Sequence, residues 1–76
     1  MLLQTLLKTS RKRQKITQEE MARRLQVSPN TIKFWETGRR LPRREQVPMI
    51  CFFYHLKTNE FINAYRQSEE LRKELK

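Results

Sequence analysis

Apolar side chains recur every three or four positions along most of this chain, the spacing that gathers them on one face of an α-helix. Leu3, Leu6, Leu7 and the aliphatic stem of Arg11 trace such a face and predict a first helix over residues 1–14. Met21, Ala22 and Leu25 trace a second. Thr17 is placed to cap it, and Glu20, three residues on, is placed to return a hydrogen bond in a capping box. Ser28 followed by Pro29 is another start signal, because the serine oxygen caps orphan N–H groups and proline at the first helical position forfeits no bond. This predicts a third helix over residues 29–36, stopped by Gly38, the only glycine. Only residues 26–28 separate the second and third helices, and two short helices joined so tightly must cross steeply, as in a helix-turn-helix.

Residues 39–45 form a basic connection carrying Pro42. A fourth helix is expected from about Gln46, with Pro48 in its first turn and Val47, Ile50, Cys51, Phe53 and Tyr54 available for the core. After a break at Lys57 or Thr58, a fifth helix turns Phe61, Ile62 and Tyr65 inward and runs on through a charged extension. No strand pattern competes, since alternation is short and β-branched residues are few. The predicted fold is all-α, a compact five-helix domain over residues 1–66. Residues 67–76 then extend it, either as a frayed solvated helix or as a dimer contact through Leu71 and Leu75.

Charge narrows the function. The 76 residues carry a formal net charge of +9, and all of that excess lies in residues 1–44, since the five basic and five acidic residues that follow cancel. Segregation of this kind suits a protein that meets a polyanion. One histidine, one cysteine and no aspartate leave no acid–base or nucleophile set, so an enzyme is not expected. Cys51 and His55 stand four apart, but no second Cys or His completes a zinc site, and no metal or other cofactor is expected. A lone cysteine, no apolar run near the ~20 residues that span a bilayer and no secretory leader point to a cytoplasmic protein without a membrane partner.

With Met21, Leu25, Ile32 and Trp35 turned into a shared core, the outward face at the amino end of the third helix is left to Pro29, Asn30, Lys33 and Phe34. Trp35 is assigned to the core rather than to base stacking. At Ile16-Thr17-Gln18-Glu19-Glu20-Met21-Ala22 and Ile32-Lys33-Phe34-Trp35-Glu36-Thr37-Gly38-Arg39-Arg40-Leu41-Pro42 the sequence resembles the phage-repressor and Cro-like helix-turn-helix family, also called XRE-type, a likeness covering residues 7–62. The resemblance implies a five-helix domain that binds double-stranded operator DNA, usually as a symmetric homodimer, with the third helix reading bases. It also implies that Gln18 grips phosphate and that Arg11 and Glu36 form a partly buried ion pair. Two positions depart from the family pattern. Gln26 stands where glycine is usual in the turn, at a cost of about 1 kcal/mol if its φ is positive. Pro29 stands where a hydrogen-bonding residue is usual, which reduces that base contact to van der Waals packing.

The chemistry assigned to these positions follows from the major-groove code. Asn30 can pair with adenine N6 and N7, and Lys33 can donate to guanine O6 or N7. Phe34 is either outward against a thymine methyl or partly buried against the second helix or the following connection. Gln18, Ser28, Thr31, Arg39, Arg40, Arg43 and Arg44 are expected to hold phosphates without reading sequence. The basic run Arg11, Lys12, Arg13 and Lys15 is either a solvated face or a further phosphate contact. Together these describe a transcriptional regulator of a bacterial or phage-infected cell, most simply a repressor. The alternative is a protein-interaction module, such as an antitoxin or an antirepressor-type adaptor. Its support is the run Phe52-Phe53-Tyr54, whose rings cannot all face inward and invite a protein partner.

Overall fold

Capping residues set where the helices begin and end. The computed structural model describes residues 1–74, in which five helices and no strand occur. They are α1 (Leu3–Arg13), α2 (Gln18–Leu25), α3 (Pro29–Thr37), α4 (Val47–Tyr54) and α5 (Thr58–Glu74), with a 3₁₀ turn at Arg44–Gln46 before α4. Thr17 Oγ1 accepts from the Glu20 N–H at the start of α2, and Ser28 Oγ accepts from the Thr31 N–H at the start of α3. The expected capping box at Thr17 is only half formed. The Glu20 carboxylate accepts instead from Arg23 and Arg24, at 2.8 and 3.4 Å, because helical neighbours three and four residues on are within its reach.

Two left-handed residues shape the turns around α3. Gln26 sits at φ 58°, ψ 43°, with the Val27 N–H closing back on the Ala22 carbonyl at 3.0 Å, so a non-glycine residue bears the strain that glycine would avoid. Gly38 ends α3 at φ 80°, and a Cβ there would collide with the side-chain amide of Gln4. The backbone is what favours glycine there, since the far end of the flexible Gln4 side chain can swing aside.

The core gathers one face of every helix. Leu3 and Leu7 from α1, Met21 and Leu25 from α2, Ile32 and Trp35 from α3, Ile50 and Tyr54 from α4, and Phe61 and Ala64 from α5 are all buried. Withdrawing a side chain such as Ile32 from water contributes about 2 kcal/mol. α3 packs against both α1 and α2, while α5 packs against α1 and α4.

Ile62 departs from its expected inward position and is 39 % exposed. Phe61, Ala64 and Ser68 define the face that α5 buries, and Ile62 lies one position, about 100° around the helix, from it. Residues 67–74 continue α5, and Ser68 is buried, its Oγ accepting the Leu3 N–H at 3.0 Å. α5 thereby satisfies the first N–H of α1, which has no side-chain cap of its own. Leu71 is 41 % exposed, and Leu75 lies outside the described residues. No helix among the described residues is long and apolar enough to cross a membrane.

Candidate nucleic-acid interface

The orientation of α3 is fixed from beneath by a buried polar cluster. Arg11 Nε donates to both Glu36 carboxylate oxygens at 3.1 and 2.8 Å, and Nη2 donates to Oε1 at 2.9 Å. The third nitrogen, Nη1, donates to the Ile16 carbonyl at 2.7 Å, so one guanidinium ties α1 to α3 and to the approach of α2. Gln18 Nε2 and Tyr54 Oη complete the shell of Glu36, at 3.2 and 3.0 Å. Among the described residues no buried side-chain nitrogen or oxygen lacks a partner. The hydrogen bonds to Glu36 raise the Arg11 pKa against the opposing effect of burial. Burial, reinforced by the Glu36 charge, pushes the Tyr54 hydroxyl well above the ordinary tyrosine range and keeps it a donor.

Above this cluster Ile32 and Trp35 point down, with 0 and 4 % exposure, and Pro29, Asn30 and Lys33 are exposed. An open groove between the amino ends of α2 and α3 brings Gln18, Glu19, Pro29, Asn30 and Lys33 together. Glu19, to which the sequence reading gave no role at the surface, is the acidic member of that groove. Gln18 faces it while one amide hydrogen is held by Glu36, leaving its second for an outside acceptor. The Ser28 and Thr31 hydroxyls bond each other at 2.9 Å while Ser28 caps the helix, so both are partly engaged in holding the first turn.

Phe34 is half-buried, and it is the residue whose placement the sequence left open. The guanidinium carbons of Arg39 and Arg40 lie 5.9 and 5.7 Å from its ring centroid, within cation–π range. Both residues are exposed, as are Arg43 and Arg44 in the rest of the connection. Among the described residues none of these four arginines, nor Lys33, is in an ion pair. The surface along and beyond α3 is therefore predominantly positive beside the Asn30 amide, with Glu19 as its acidic exception.

Some contacts behind this surface have little signal in the sequence. Tyr54, read there only as a core residue, donates to Glu36; the hint was a polar-tipped aromatic in an otherwise apolar helix, which needs a partner once buried. The Arg72 contacts to Gly38 and Arg39 span 34 and 33 residues and leave no periodic trace. Among the described residues no group of three or more Cys, His, Asp or Glu is arranged to hold a metal ion.

In comparison with known proteins, a family model described as a helix-turn-helix domain fits residues 3–75. No curated protein and no solved structure matches.

Proposed function

We propose, from the premise that this chain belongs to the helix-turn-helix domain family, that it is a sequence-specific DNA-binding regulator that reads the major groove with α3. The observation that carries this reading is the division of α3. Ile32, Trp35 and Glu36 are buried, while Asn30 and Lys33 are presented to solvent beside four arginines that form no ion pair among the described residues. In this reading Asn30 pairs with an adenine edge, Lys33 donates to guanine, and Pro29 and the exposed part of Phe34 pack on a thymine methyl or sugar. Gln18, Ser28, Thr31, Arg39, Arg40, Arg43 and Arg44 hold phosphates and set register. The protein acts as a repressor by covering a promoter, as a homodimer on a pseudo-palindromic site, with no catalytic step. It works where the DNA of a bacterial or phage-infected cell is found.

Selection of bound duplexes from a random pool tests this directly. The expected result is enrichment of one motif whose two halves are related by a dyad, with centres about 10 bp apart.

A second reading has its own support. Phe52 is 73 % exposed and Met49 44 %, one turn apart on α4, an apolar surface that suits a protein partner such as the toxin of an antitoxin pair. Failure of the random pool to enrich any motif would favour that reading over the first.

A further inference from the structure

Resting on the DNA-binding reading, we infer that α5 is a splint for the basic connection, with Tyr65 and Arg72 as positioning residues that hold the phosphate-binding arginines in place. The two residues lie two turns apart on one face of α5 and each bonds the backbone of the connection. Tyr65 Oη donates to the Pro42 carbonyl at 2.9 Å. Arg72 Nη1 donates to the Gly38 and Arg39 carbonyls at 3.0 and 3.2 Å. Anchors therefore stand at both ends of the stretch that carries Arg39 and Arg40, and one of them immediately precedes Arg43.

The need for such a splint follows from local chemistry. α3 has no basic residue in its last turn, so no charge of its own complements the negative end of its dipole. Arg72 supplies that cation from 34 residues away. The connection itself has little internal structure before the 3₁₀ turn: the Arg39 and Arg40 N–H groups both converge on the Phe34 carbonyl, at 3.0 and 3.3 Å. Phe34 gathers the two guanidiniums from the α3 side, while α5 holds the backbone beneath them. α5 can act as a reference because it is itself docked, through buried Phe61, Ala64 and Ser68. Ser68 is one turn before Arg72 on the same face. An arginine held over the phosphates before contact gives up less freedom on binding than a mobile one, and that difference appears as affinity.

The test uses the full chain with Tyr65→Phe, Arg72→Gln and both together, binding a selected and a random duplex, with Arg72→Lys as the conservative control. Amide hydrogen exchange of residues 38–44 is followed in the free protein. The expected result is that the double variant melts close to the wild type, exchanges faster across residues 38–44, and binds both duplexes roughly tenfold more weakly. Arg72→Lys recovers part of the loss. In a background of Arg39→Ala, Arg40→Ala and Arg43→Ala the double variant should cost nothing further, because the residues it positions are gone. Full additivity in that background would mean that Arg72 meets the phosphates itself, and would overturn the positioning role. Unchanged affinity or unchanged exchange in the double variant would overturn it too, while leaving the DNA-binding reading intact. A wild type that binds no duplex would sink both.

Discussion

Replacing Arg11 with methionine should destabilise the domain by about 3–5 kcal/mol, a large share of the stability of a domain this size. The change keeps an unbranched apolar stem in place, so it isolates the loss of the guanidinium. Glu36 would remain with 1 % of its side chain exposed and would lose all three of its Arg11 hydrogen bonds, keeping those from Gln18 and Tyr54. A buried carboxylate stripped of its cation is the costly species, more so than the absence of the pair as a whole. Accordingly Arg11→Met with Glu36→Leu should recover much of the stability that Arg11→Met alone loses. Urea denaturation midpoints of the two variants and the wild type measure this. A loss below about 1 kcal/mol for the single change would place the pair among exposed ion pairs of little energetic weight. The consequence reaches function, because Glu36 is the residue through which α1, α2 and α4 fix the carboxyl half of α3, the helix proposed to read DNA.

The second large effect is on DNA affinity as salt rises. In the proposed reading Arg39, Arg40, Arg43 and Arg44 would give about four phosphate contacts per protomer and about eight for a dimer. Each contact contributes about −0.9 to the slope of log K against log salt. Between 50 and 200 mM salt a dimer should therefore lose about 10⁴-fold in affinity and a monomer about 10²-fold. The slope thus reports on assembly as well as on charge. A decline under about tenfold over that range would mean that these arginines do not reach the backbone of the duplex. Binding would then have to rest on apolar or base contacts.

Much of this architecture was legible because its signals are local. Thr17, Ser28, Pro29 and Gly38 each act on backbone groups within four residues, so they predict a third helix over residues 29–36, and it is observed at Pro29–Thr37. The inward face of that helix followed from the spacing of Ile32 and Trp35, and its outward face from what remained. Where two local partners compete, the sequence was a poorer guide. Glu20 could serve the Thr17 backbone or the arginines at 23 and 24, and the arginines prevail. Phe34 was undecidable from spacing alone because its environment is made by Arg39 and Arg40, which lie beyond the end of its helix. Least legible were the roles of Ser68 and Arg72. Their partners, Leu3 and the Gly38–Arg39 backbone, lie 65 and more than 30 residues away in sequence, and a charged helical tail looks alike whether it is docked or solvated.

The most direct measurement compares the wild type and Asn30→Ala on the selected duplex and on a random one at a single salt concentration. The expected result is a loss of about tenfold or more on the selected duplex, the worth of one bidentate base contact, with affinity for the random duplex nearly unchanged. Equal losses on the two duplexes would contradict the assignment of Asn30, and with it the claim that α3 reads sequence through its exposed amino end.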